Sequence, residues 1–168
     1  MAKFGLKLHE SKTRLIEFGR FAKEDRRRRG EPKPETFNFL GFTHVCGQRR
    51  KDKGFALQRR TIAKRLRSKV KEVWQELKKK RHRSLKEQGK WVRSVVQGYF
   101  NYHSVPGNTY TMDSFRSGVI RGWLQAIRRR SQKGRGFTWD KMNRLVKRWV
   151  PSVRVIHPYP NQRLVVST

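Results

Sequence analysis

A 168-residue chain with a formal net charge of +31 can stay compact only on two conditions. It must bury enough apolar surface to offset its self-repulsion, and a polyanion must normally neutralise the excess. The first condition is within reach. Hydrophobic residues make up 35% of the chain, below the usual share, but aromatics reach 11%, with ten Phe and five Trp. A disordered basic tail is poor in aromatics. The chain therefore reads as folded and highly basic. Forty-three Lys+Arg against 12 Asp+Glu exceed any need of solubility, and nucleic acid is the first polyanion to consider.

Several function classes are set aside by residue type. Cys46 is the sole cysteine, so neither an intrachain disulfide nor a multi-cysteine zinc site is expected. His9, His44, His82, His103 and His157 are scattered without metal-ligand spacing. No apolar run of about 18 residues exists, and the N-terminus MAKFGLKLHE lacks an apolar signal core. The reading is an intracellular, cytoplasmic protein with no membrane partner. There is no GxxxxGK[ST] phosphate loop, no Asp-Asp pair and no Ser-His-Asp pattern. Asp113 and Asp140 fall at expected helix starts, where capping accounts for them. No carboxylate cluster for two-metal chemistry is seen, so no stand-alone enzyme is expected.

The apolar pattern divides the chain. Arg14–Phe18 fits a short strand, and Phe21–Glu35, with its Arg26–Arg29 run and Pro32 and Pro34, fits an exposed loop. Phe37–Gly47 is strand-like, with Gly41 marking a bulge or a close backbone approach. After a polar turn over residues 48–54, Phe55–Gln58 returns as a strand, making a hairpin with a basic tip. From Thr61 the period changes. Ile62, Leu66, Val70, Val73 and Leu77 form a helical stripe reaching about Arg81.

Further helices are expected over about 90–103, 112–131 and 138–149. Pro106-Gly107-Asn108 breaks between the first two, Gly134-Arg135-Gly136 is a flexible link, Thr138 is an N-cap, and Pro151 is a stop. The fold class is α+β: a small antiparallel β piece over 1–58, a helical bundle over 59–150, and an extended tail over 151–168. The β piece is marginal in isolation.

A charge run is usually a solvated face, but such faces mix signs and gain i,i+4 pairs. Here few acidic residues accompany the cations. The candidate nucleic-acid contacts are Arg59, Arg60, Lys64, Arg65, Arg67, Lys71, Arg93, Arg121, Arg128, Arg129, Arg130, Lys133 and Arg135. Aromatics near them either stack on unpaired bases or fill the core. Trp123 and Trp149 lie on apolar stripes and read as core. Tyr99, Tyr102 and Trp74 fit either role. Tyr102 lies off its stripe and is counted with the RNA contacts.

Two motifs in order are more specific. GLKLHESKTRLIEF, Gly5–Phe18, resembles the segment of group II intron reverse transcriptases that follows the catalytic Asp-Asp hairpin. FNFLGFTH, Phe37–His44, resembles the next palm motif of that family, the primer grip. WVRSVVQGYFNYHSVPGN, Trp91–Asn108, resembles the hallmark of the maturase-specific thumb, domain X, and GFTWDKMNRLVKRWVP followed by IHPYPNQR resembles its end. The resemblance covers essentially the whole chain.

It implies the end of a palm plus a thumb of about three long helices. Lys12 and Thr13 would be the palm pair, with Lys12 near the active site. Leu40, Gly41 and Phe42 would present the primer-grip turn. The basic helices would hold structured RNA, with a group II intron as partner, through phosphates and A-form shape. The maturase activity so implied is non-covalent: the protein stabilises the ribozyme and the RNA splices itself. No cofactor would be bound by this chain, Mg²⁺ belonging to the ribozyme or to a complete polymerase. The fingers and the Tyr-Xaa-Asp-Asp carboxylates would lie upstream. That leaves a second reading, in which this chain completes a split reverse transcriptase whose catalytic carboxylates come from another chain. The exposed edge of an Arg14–Phe18 strand would favour it. A general RNA- or ribosome-associated basic protein is the third reading, which the charge alone allows.

Overall fold

A computed structural model describes residue 9 and residues 13–49 and 51–158. These fall into two units, one within Met1–Phe37 and Val45–Leu57, the other within Asn38–His44 and Gln58–Thr168. The strands β1 (Phe37–Phe39), β2 (Phe42–Gln48) and β3 (Phe55–Thr61) pass from one unit into the other and form a three-stranded antiparallel sheet in the order β1-β2-β3. The helices are α1 (Ala22–Arg28), α2 (Ala63–Lys79), α3 (Leu85–His103), α4 (Thr109–Arg128) and α5 (Trp139–Trp149). The mixed α+β class expected from the sequence is observed. No described helix is long and apolar enough to cross a membrane.

The first unit corrects two expectations. Residues 14–18 form no strand. Leu15 is fully exposed, Phe18 packs edge-on against Phe37 at 5.0 Å, and Glu17 serves as an ion-pair partner of Arg26 and Arg29. The arginine run, expected as a loop, lies in and beside α1. Only Ala22 of that helix is buried, so it has no apolar period to read. Its order comes from charge: Glu24 and Asp25 lie in the first turn and Arg26–Arg28 in the last, each matching the helix dipole. Arg28 adds an i,i+4 bond to Glu24 at 2.8 Å. Arg29 donates to the Glu31 carboxylate at 2.8 Å and holds it below the usual carboxylate range. The β2–β3 turn is closed by Asp52, which accepts from Arg49 at 2.9 Å and from the Gly54 amide at 3.1 Å.

The second unit is a helical bundle around α4. Met112, Phe115, Val119 and Trp123 of α4 are completely buried, facing Val73 and Leu77 of α2, Val92 and Val96 of α3, and Met142 of α5. Each such side chain contributes about 1.5–3 kcal/mol of burial. Two glycines set the closeness of α2 and α4. A Cβ on Gly118 would lie 3.1 Å from Val70, and one on Gly122 would lie 2.3 Å from Trp74. Trp74 uses the approach to donate its indole N–H to the Gly118 carbonyl at 2.8 Å. Gly89 does the same for α3 and α5, a Cβ there falling 2.6 Å from the Trp149 ring. Trp123 is core as expected. Trp149 packs against the core but stays half-buried.

Helix α3 begins earlier than its apolar stripe. Ser84 and Glu87 form a capping box that starts it at Leu85. The fully buried amide of Gln88 then accepts from the Trp123 indole at 2.8 Å and donates to the Arg81 and Arg83 carbonyls, satisfying the α2–α3 connection. Thr138 caps α5 and Asp140 lies in its first turn, as expected. Asp113 does not behave as expected. Helix α4 starts at Thr109 and has no acidic residue in its first turn, so capping does not account for Asp113. The Gly134-Arg135-Gly136 link is a 3-10 turn over Lys133–Gly136, where a Gly134 Cβ would meet the Ile127 carbonyl at 2.6 Å.

Candidate nucleic-acid interface

The turn between β1 and β2 consists of Leu40 and Gly41, both at positive φ (45° and 82°). A two-residue hairpin of type I′ requires this, so of the bulge or close approach expected at Gly41 the bulge is a turn, and the close approach is that of Arg65. Glycine takes the conformation freely, whereas leucine is strained by about 1–2 kcal/mol. The surroundings hold it. The Tyr102 hydroxyl donates to the Leu40 carbonyl at 2.7 Å, and the Ile62 amide donates to the Gly41 carbonyl at 3.2 Å. Phe42 is buried and stacks on Tyr102 at 5.7 Å. From there an aromatic series runs inward: His103 stacks on Tyr99 at 3.9 Å, and Tyr99 on Phe115 at 3.7 Å. A Cβ on Gly41 would meet Arg65 Nη1 at 3.0 Å. The turn thus projects Phe39 and Leu40, 58% and 68% exposed, next to the Arg65 guanidinium.

His103 donates from Nδ1 to the Tyr99 carbonyl at 3.0 Å. Burial pushes its pKa below the usual value, and the Arg65 charge adds to that shift. Burial pushes the Tyr99 phenol up. Below this stack Asn108, fully buried, joins β3 to the α3–α4 connection. It accepts from the Thr61 amide at 2.8 Å and donates to Thr61 Oγ1 at 2.9 Å and the His103 carbonyl at 2.8 Å. The Pro106-Gly107-Asn108 break is therefore a docking device as well as a stop.

The predicted cations divide into groups. Lys64, Arg65, Arg67 and Lys71 are exposed on α2. The acidic residues of that helix are engaged elsewhere, Glu72 with Lys69 at 2.7 Å and Glu76 with Lys79 at 2.7 Å. The Lys79 hydrogen bond holds the Glu76 carboxyl below its usual range. Arg67 and Lys71 flank a 380 Å³ recess floored by Leu66, Val70 and Trp74. Arg128, Arg129 and Arg135 line a second recess of 500 Å³, next to Lys133 in the 3-10 turn. Within that group Arg128 Nε donates to the Phe137 carbonyl at 2.9 Å, and Arg130 donates to the His82 carbonyl at 3.3 Å, so both also tie the chain together.

Arg121 is exposed on α4 and lines neither recess. In β3, Arg59 is half-buried, while Arg60 is exposed and donates to Gln58 at 2.7 Å. Tyr102 is 52% exposed, but Phe42 already stacks on its ring. Thr13 donates to the His9 carbonyl through its hydroxyl and its amide, both at 2.9 Å, and Lys12 lies outside the described residues.

Arg93 joins residues the sequence reading missed. With Arg116, Lys147, Arg148 and Arg154 it surrounds a 660 Å³ groove. These cations come from α3, α4, α5 and the segment after α5, so no local pattern joins them all. One sequence signal does point there: after Glu87 the only acidic residues are Asp113 and Asp140. Neither lines the groove, and none of its five cations forms an ion pair among the described residues. No group of His, Cys, Asp and Glu able to hold a metal ion occurs among the described residues. A scan against protein-family models, a search of curated proteins and a search of solved structures each return no match.

Proposed function

We propose that this chain is an RNA-binding module of the maturase type, which binds a group II intron and assists its folding and splicing. The observation that carries the reading is the set of exposed cations around an aromatic core, with the local carboxylates either absent or already paired. Such a surface meets phosphates in A-form geometry without reading base sequence. The motif resemblance supplies the intron as partner. What supports this use of the motif is that FNFLGFTH forms a turn with an exposed apolar tip beside Arg65. The chemistry of splicing would stay with the RNA.

The split reverse transcriptase is a second reading. Its strand-edge argument falls, since residues 14–18 form no strand. What favours it is the edge position of β1 together with the exposed Phe39 and Leu40. One experiment compares the two. A group II intron transcript is incubated with the chain at a Mg²⁺ concentration where the RNA alone splices slowly. Faster splicing is the expected result. Failure to bind or accelerate, with primer extension appearing only after a fingers-and-palm chain is added, would replace the first reading by the second.

A further inference from the structure

The groove around Arg93 and Arg154 is larger than the recess on α2 and gathers five cations where that one has two, Arg67 and Lys71. It too has an apolar wall. Phe100, Val146, Trp149, Val150 and Ile156 supply that wall. Its 660 Å³ lies within the ~300–1,000 Å³ usual for small-ligand sites.

The groove is also braced. Arg116 Nε donates to the Pro151 carbonyl at 3.0 Å. The amides of Ile156 and His157 donate to the Ser104 carbonyl at 3.1 and 3.0 Å, and His157 Nε2 bonds the Asn101 carbonyl at 2.7 Å. The segment following α5 is thus pinned to α4 through Arg116 and to the C-terminal end of α3 through Asn101 and Ser104, and little ordering remains to be done on binding.

Helix electrostatics explain only part of the charge. Lys147 and Arg148 lie in the last turn of α5, where they offset its negative end. Arg93, on α3, and Arg154, beyond α5, meet no such demand. No acidic residue follows Asp140 in the sequence, so the tail brings no internal counter-ion. An external anion with an apolar flat part fits these features.

We propose that this groove takes an unpaired stretch of RNA, its phosphates on Arg93, Lys147 and Arg154 and a base against the Trp149 side of the apolar wall. This rests on the RNA-binding reading and adds a second, structurally distinct contact to it. A duplex presents its phosphates on a convex cylinder and meets a recess only at its rim, whereas an unpaired nucleotide can insert. Arg148 lies over the Trp149 ring at 5.3 Å and offers a guanidinium plane for stacking.

The test uses the full chain with two labelled probes, an oligo(rU) of about ten nucleotides and an RNA duplex of about 16 base pairs. Lys147→Ala with Arg154→Ala should weaken oligo(rU) binding by about tenfold or more and make its log–log salt slope shallower by about 1.4, two contacts at ~0.7 each. Duplex affinity should change less than about twofold. Arg67→Ala with Lys71→Ala should weaken the duplex more than the oligonucleotide. Equal losses on both probes from the groove variant, or no loss on oligo(rU), overturn the groove proposal. A wild-type chain that binds neither probe overturns the RNA-binding reading itself.

Discussion

The Tyr102 hydroxyl holds the Leu40 carbonyl at 2.7 Å across 62 residues of sequence. It fixes a turn whose leucine has a positive φ of 45°. Tyr102→Phe removes the bond and should cost about 0.5–1 kcal/mol, the low end of the usual range because Tyr102 is half exposed. Leu40→Gly relieves the left-handed strain and sacrifices an already exposed side chain. It should raise stability by about 0.5–1 kcal/mol despite the added chain entropy. Urea denaturation of both variants checks this. A Leu40→Gly protein less stable than wild type would mean that the leucine side chain, not the turn geometry, matters there.

Gly122→Ala places a methyl carbon 2.3 Å from the Trp74 ring, which is also tied to the Gly118 carbonyl. Helix α2 must move away from α4. The overpacking cost of about 1–3 kcal/mol should exceed the few tenths to ~1 kcal/mol that alanine returns in helix propensity. The midpoint of thermal unfolding should therefore fall. Gly98→Ala is the control, since apart from its own chain neighbours and helix backbone no atom lies within 4 Å of a Cβ placed there, and it should not destabilise.

Asn108→Ala strips the Thr61 amide of its acceptor at a fully buried site and removes two further hydrogen bonds. Unsatisfied buried groups cost about 1–3 kcal/mol each, so a loss of roughly 2–4 kcal/mol is expected. Asn108→Asp keeps the acceptor oxygens but loses the two donations and buries a charge, so it should not rescue stability. Chemical denaturation of the two variants distinguishes a hydrogen-bonding role from simple space filling.

His103 supplies a pH dependence whose sign is fixed by burial. Its folded pKa lies below the unfolded value of about 6.5, so the unfolded chain takes up the proton first. The stabilisation is complete above about pH 6.5, falls as pH drops from there through the folded value, and is constant below it. The depressed carboxylates, Glu76 and Glu87 among them, lose their stabilisation only at lower pH, below about 4.3. Comparing wild type with His103→Gln between about pH 7 and pH 5 isolates the histidine. The variant should show the flatter stability profile, and identical profiles would remove His103 as the cause.

The sequence was most legible where one element carried its own signal. The Ile62–Leu77 stripe located α2, and Thr138 and Asp140 located the start of α5. Helix α1 was not legible because it buries one residue and is ordered by ion pairs. The start of α3 was missed because Leu85–Lys90 has little apolar character, although Ser84 and Glu87 at capping-box spacing were there to read. The positive φ of Leu40 could not be anticipated, since leucine seldom adopts it, and the bonds that hold the turn come from Ile62 and Tyr102, distant in sequence. The Arg93 groove was hidden for the same reason: its cations meet only after α3, α4 and α5 have packed.

The central claim is that the unpaired cations hold RNA through its phosphates. The most direct measurement is the affinity of the chain for a structured RNA over a range of monovalent salt. Neutralising six or more phosphates should give a slope of log K against log[salt] of about −4 or steeper. A slope near zero would contradict the account.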